Sequence, residues 1–125
     1  MSLATLITSP ALIDAAGHPP KRIEEYVGRA STGTSALSVA RMVSPTGWSE
    51  PSQIPEFEEI TVVIACEIQA ELQDEIHVVK ACQALIVPAG ARVRYSTPAP
   101  QGAQYISICL PAFSPDIVHR DRIIG

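Results

Sequence analysis

Cys82-Gln83-Ala84-Leu85-Ile86-Val87-Pro88-Ala89-Gly90-Ala91-Arg92-Val93-Arg94-Tyr95-Ser96 is the stretch whose reading decides the fold. An apolar, β-favouring run leads to Pro88, and a second run rich in such residues leaves Ala91. Pro88 fixes φ and has no amide to donate, and Gly90 accepts a left-handed backbone, so the chain turns between them. The stretch therefore predicts strand, turn, strand. Side chains alternate along the second strand, which puts Val93 and Tyr95 on one face and Arg92 and Arg94 on the other.

The same pattern extends in both directions. Strands are predicted at residues 22–29, 37–43, 60–66, 67–72, 76–80, 84–87, 92–96 and 105–110. Turn residues separate most of them, at Thr32-Gly33-Thr34, Pro45-Thr46-Gly47, Gln73-Asp74-Glu75 and residues 98–102. No segment keeps a helical period, and 11 prolines and 7 glycines break the chain at short intervals. Many short, evenly spaced strands predict an all-β sandwich or barrel. In the last strand Tyr105, Ser107 and Cys109 share one face and Ile106, Ile108 and Leu110 the other. The apolar set is expected to face the thicker core, and which set faces the pocket stays open.

With 125 residues the chain is read as one domain over 1–125. It divides into an extended arm over 1–20, a barrel over 21–110 and a tail over 111–125. Residues 119–122, His119-Arg120-Asp121-Arg122, read as a solvated end. The net charge is −4 with only nine Lys and Arg, which argues against nucleic acid as a partner. The apolar runs are too short to cross a membrane, and no basic segment followed by an apolar core announces a secretory signal. Cys66, Cys82 and Cys109 are odd in number and form no CxxC pair, which points to a reduced, cytoplasmic chain.

Two segments resemble the cupin family. The first is Gly47-Trp48-Ser49-Glu50-Pro51-Ser52-Gln53-Ile54-Pro55-Glu56-Phe57-Glu58-Glu59, continuing to Cys66. It matches a motif of a glycine, a His-x-His pair, a glutamate and a closing glycine. The match puts Ser52 and Ile54 in the histidine positions, Glu59 in the glutamate position and Cys66 in that of the glycine. The second runs from Cys82 to Val93 and matches a Pro-x-Gly turn followed by a histidine; Pro88 and Gly90 fit, and Val93 replaces the histidine. Residues 87–98 look like the same segment of the ethanolamine-utilisation cupins, and a wider likeness to small bacterial cupins implies a bacterial source. The resemblance implies an antiparallel jelly-roll barrel (a double-stranded β-helix) and, commonly for such barrels, a homodimer.

Three of the four ligands that the resemblance implies are replaced, so no tightly held transition metal is expected. Glu50, Gln53 and Glu59 together offer oxygen ligands to a hard divalent ion, with weak binding as the expectation. Glu59 is the principal candidate. It reads either as a catalytic carboxylate inside an apolar barrel, partnered by Tyr95 or Arg41, or as a rim residue in solvent. Trp48 reads as a ligand-stacking ring at the mouth or a cap on the core, with Tyr105 as a second aromatic near the mouth. The first function expected is a small-molecule-binding module of unknown ligand with a degenerate metal site. The alternative is an enzyme that uses Glu59 and Tyr95 as acid and base on a small polar metabolite.

Overall fold

A computed structural model describes residues 3–121. The chain is nearly all β: β1 (Ala11–Ile13), β2 (Arg22–Val27), β3 (Ser38–Ser44), β4 (Trp48–Ser49), β5 (Glu58–Leu72), β6 (Glu75–Lys80), β7 (Ala84–Val87), β8 (Arg94–Thr97) and β9 (Ala103–Leu110). One 3-10 turn, Pro115–Ile117, is the only helical segment among the described residues. The strands pair in the order β1-β2-β3-β9-β5-β8-β4, with β6 and β7 also on β5, and every pairing is antiparallel. The sheet curls into a cupin-type barrel.

β5 holds the two halves together. Its first half pairs with β9 and β7 and its second half with β8 and β6. The sequence predicted two strands here, meeting at Cys66. They are one strand, bent where the register slips between Val63 and Ala65 and where Cys66 takes a positive φ of 64°. A bulge of this kind re-aims a strand without ending it. β1 and β4 were not predicted, because segments of three and two residues carry no readable period.

Pro88 and Gly90 turn the chain as expected, with Gly90 at φ 84°. Beyond them Val93 and Tyr95 are buried and Arg92 and Arg94 are exposed. Arg92 pairs with Asp121 and Arg94 with Glu71. The reading of β9 is reversed. Tyr105, Ser107 and Cys109 point inward, whereas Ile106 and Ile108 lie on the outer face and Leu110 is exposed. On that outer face Ile86, Ile60, Ile108 and Val39 form one cross-strand row. The barrel interior therefore carries a polar lining and the outside an apolar row, the opposite of an ordinary half-solvated sheet.

The core has two parts. The larger gathers Trp48, Val63, Ile68, Val93 and Tyr95 among others, and the smaller joins Phe57, Cys109 and Val118, with Phe113 packed on it. The tail is solvated only in part: His119 and Asp121 are exposed, while Arg120 is half-buried. Asp121 donates its amide to Ser52, and residue 120 bridges to Gln53, so the tail folds back over the barrel mouth. His119 meets Glu56 at 2.6 Å. Arg122 lies outside the described residues.

Candidate functional site

Between the two parts of the core lies a cavity of about 60 Å³. That is room for several waters in a site with polar walls. Each wall follows from strand alternation. β5 contributes Glu59 and Thr61, β8 contributes Tyr95, and β9 contributes Tyr105, Ser107 and Cys109. β3 adds Ala40 and Met42, and β2 adds Ile23 and Glu25. The loop after β4 supplies Glu50 and Gln53, the residue just before β2 supplies Lys21, and the tail supplies Arg120.

Glu59 is held on one side only. Ser107 donates its hydroxyl to Oε2 at 2.5 Å, while Oε1 is buried without a partner. The Tyr95 hydroxyl faces this carboxylate, and it too is buried with no partner at full hydrogen-bond distance. Burial, then the charge of Glu59, pushes the Tyr95 hydroxyl well above its ordinary value, so it stays protonated.

Glu50 is the second buried carboxylate. Its residue is 6% exposed. Burial pushes its pKa up to about 7; Lys21 and Arg120 pull it down and Glu59 pushes it further up. A carboxyl in this range exchanges its proton near neutral pH. Arg120 Nε is 3.9 Å from Glu50 Oε2, too far for a hydrogen bond, and has no other partner. Gln53 is fixed by two backbone hydrogen bonds to Val93, each 2.9 Å, and its buried Oε1 is also unpartnered. Native interiors rarely leave such atoms unsatisfied. Four of them, on Gln53, Glu59, Tyr95 and Arg120, belong to the walls of one cavity.

The other expected residues are placed differently. Trp48 is not in the cavity wall: it is 1% exposed, its Nε1 donates to Ala16, and Lys21 Nζ sits 3.9 Å above its ring. The stacking face offered to a ligand is thus already taken. Arg41 points to the outer face of β3 and binds Glu24 at 2.6 Å, so Ser107 and not Arg41 partners Glu59. Tyr105 lines the cavity, where its hydroxyl meets Lys21 Nζ at 3.1 Å and Ser44 at 3.0 Å. Ser52 and Ile54, expected in the inward histidine positions, do not line the cavity, and Ile54 is 37% exposed. Glu50 and Gln53 face inward instead. The sequence reading missed Lys21, Glu25, Ser107 and Arg120. Ser107 alone left a signal there, the alternation of β9.

The donor set does not suit the transition metal that the cupin resemblance implies. The cavity wall contains no histidine, and burial holds the Cys109 thiol far up in its protonated form. Among the described residues no three His, Cys, Asp or Glu side chains gather as ligands of one ion.

No protein-family model matches the chain. Solved structures share its fold, three of them as follows. The polyketide cyclase RemF of Streptomyces resistomycificus has a TM-score of 0.73 at 15% identity, covering 99% of this chain and 88% of its own. A variant of Streptomyces PAC13 solved with uridine has a TM-score of 0.72 at 15% identity, covering 100% and 95%. A putative ethanolamine utilization protein of Salmonella typhimurium has a TM-score of 0.64 at 14% identity, covering 83% and 97%. These likenesses show the cupin fold, and structures of that fold include a ligand complex and a named enzyme. One curated relative, the Endoribonuclease YbeY of Myxococcus xanthus, is 43% identical over 101 residues. The match covers 81% of this chain, which spans about a third (34%) of that protein's length. The expectation of a cupin-type small-molecule-binding module is corrected by this relative, which is named as an RNase.

Proposed function

We propose that the chain is an acid–base enzyme acting on a ribonucleoside unit. Glu50 transfers the proton, the neutral Tyr95 hydroxyl donates to developing negative charge, and Glu59 holds the substrate. The reading rests on one observation: Glu50, poised near neutral pH, shares a cavity with the unpartnered groups of Glu59 and Tyr95. Perturbed carboxyls beside convergent unpaired polar groups are the usual physical mark of a reaction site. The ribonucleoside is the chemistry that two comparisons share, since one neighbour was solved with uridine and one relative is named an endoribonuclease. No step is routed through a transition metal, because the donor set does not suit one.

Incubation with a panel of ribonucleosides and their 5′-phosphates in D2O, followed by proton NMR, tests this reading. Turnover or deuterium incorporation is expected for at least one compound, and its loss in Glu50→Gln. No turnover or exchange with any of them, or equal rates in Glu50→Gln, overturns it.

A further inference from the structure

We infer that Glu59 and Gln53 receive the two adjacent hydroxyls of a ribose, so that the cavity selects a neutral vicinal diol. The inference rests on the ribonucleoside reading above and names the part of the substrate that the deep end of the cavity grips.

The free hydrogen-bonding capacity points to this ligand. Ser107 occupies Glu59 Oε2, which leaves Oε1 as the carboxylate oxygen open to a donor from a ligand. The Gln53 amide offers an oxygen or an NH2 by a half-turn, and its backbone is locked to Val93. The Tyr95 hydroxyl both gives and takes, and Arg120 Nε only gives. A ligand that satisfies this set brings at least one strong donor for Glu59 and an acceptor for Arg120. A hydroxyl is both at once, and a pair on neighbouring carbons reaches two partners from one rigid ring. An ionised carboxylate or a phosphodiester has no hydrogen for Glu59, and in the cavity wall the three carboxyls of Glu25, Glu50 and Glu59 outnumber the two cations, Lys21 and Arg120. Lys21 is no free counter-charge, since it is bonded to Tyr105 and stacked on Trp48. Ala40 and Met42 give the carbon face of the sugar an apolar wall.

The diol has two sources, a free ribonucleoside or the 3′ end of an RNA, because an internal RNA residue carries phosphate on one of the two oxygens. Calorimetric titration of the full chain with uridine, 2′-deoxyuridine, 3′-deoxyuridine and inorganic phosphate tests the inference. Uridine is expected to bind, with each deoxy analogue about tenfold or more weaker and phosphate failing to compete. A uridine hexamer with a free 3′ end that binds more tightly than uridine, while its 3′-phosphorylated form does not, assigns the diol to an RNA end. The reverse order assigns it to the free nucleoside. Glu59→Gln is expected to weaken uridine by about tenfold or more, with an unchanged circular dichroism spectrum as the check on folding. The deoxy comparison uses the native chain and needs no variant to fold. If uridine fails to bind, or 2′- and 3′-deoxyuridine bind as tightly as uridine, the diol inference is wrong. The acid–base reading is judged apart from it, by the exchange rates of native chain and Glu50→Gln.

Discussion

Ser107 on β9 donates its hydroxyl to Glu59 on β5 at 2.5 Å, across two strands paired at Thr61 and Ser107. That bond fixes one carboxylate oxygen and so decides where the other is presented. Ser107→Ala is expected to leave Glu59 free to rotate and to weaken uridine binding several-fold. The lost bond to a charged acceptor should lower stability by about 1–3 kcal/mol. Calorimetry and urea unfolding check the two effects; unchanged binding would show that Glu59 needs no orienting partner.

Glu50 makes stability depend on pH. Its folded pKa of about 7 lies above the ordinary 4.5. The folded chain therefore holds this proton more tightly than the unfolded chain does. The contribution is fully present below about 4.5 and is lost as pH rises through about 7. Its size is on the order of 3 kcal/mol. Glu50→Gln is expected to flatten the fall in unfolding free energy between pH 5 and pH 8, measured in urea. The charges around Glu50 are Lys21, Arg120 and Glu59, and none of them is altered by the substitution. A slope identical to the native chain's would mean that Glu50 is ionised throughout.

Lys21 pulls the Glu50 pKa down by its charge. Lys21→Met is expected to move the pH midpoint of any turnover upward, because the carboxyl then keeps its proton to higher pH. A midpoint that stays put in the pH–rate profile would show that solvent screens the pair. Arg41→Ala supplies the opposite control. Arg41 bonds Glu24 on the outer face, so its loss is expected to leave uridine binding unchanged.

Much of the barrel was legible in the sequence, for stated physical reasons. The Pro88–Gly90 turn carries its own stereochemistry, and alternation sent Tyr95 inward and Arg94 outward. Alternation groups residues by face but does not say which face is inside. For β9 hydrophobicity gave the wrong answer, because this interior contains a polar cavity and the outside carries Ile106 and Ile108. Glu59 was visible through the position that the cupin resemblance assigned it, just before the predicted strand 60–66, and Tyr95 through alternation from Val93. Glu50 and Gln53 were singled out, but their inward aim depends on the irregular loop after β4. Arg120 enters the site only through contacts between residues far apart in sequence, which no local period encodes.

The arm that leads into Lys21 is fitted to the barrel by one glycine. Gly17 has a φ of 92°, and a Cβ there would run into the Ser49 carbonyl and Trp48 Nε1. The close approach lets His18 exchange backbone hydrogen bonds with Ser49 at 3.0 and 2.9 Å. It also brings the Ala16 carbonyl to the Trp48 indole. Gly17→Ala meets both a conformational penalty and a steric one, and is expected to lower stability on the order of 2 kcal/mol. Detachment of the arm would bare the Trp48 ring and withdraw Lys21 from Glu50 and Tyr105. Trp48 is the only tryptophan in the chain, so its emission reports on this contact directly. A red shift is expected in Gly17→Ala under native conditions, together with weaker uridine binding. Native emission with native affinity would mean that the arm refits around the added methyl and that its seat on Trp48 does not depend on the glycine.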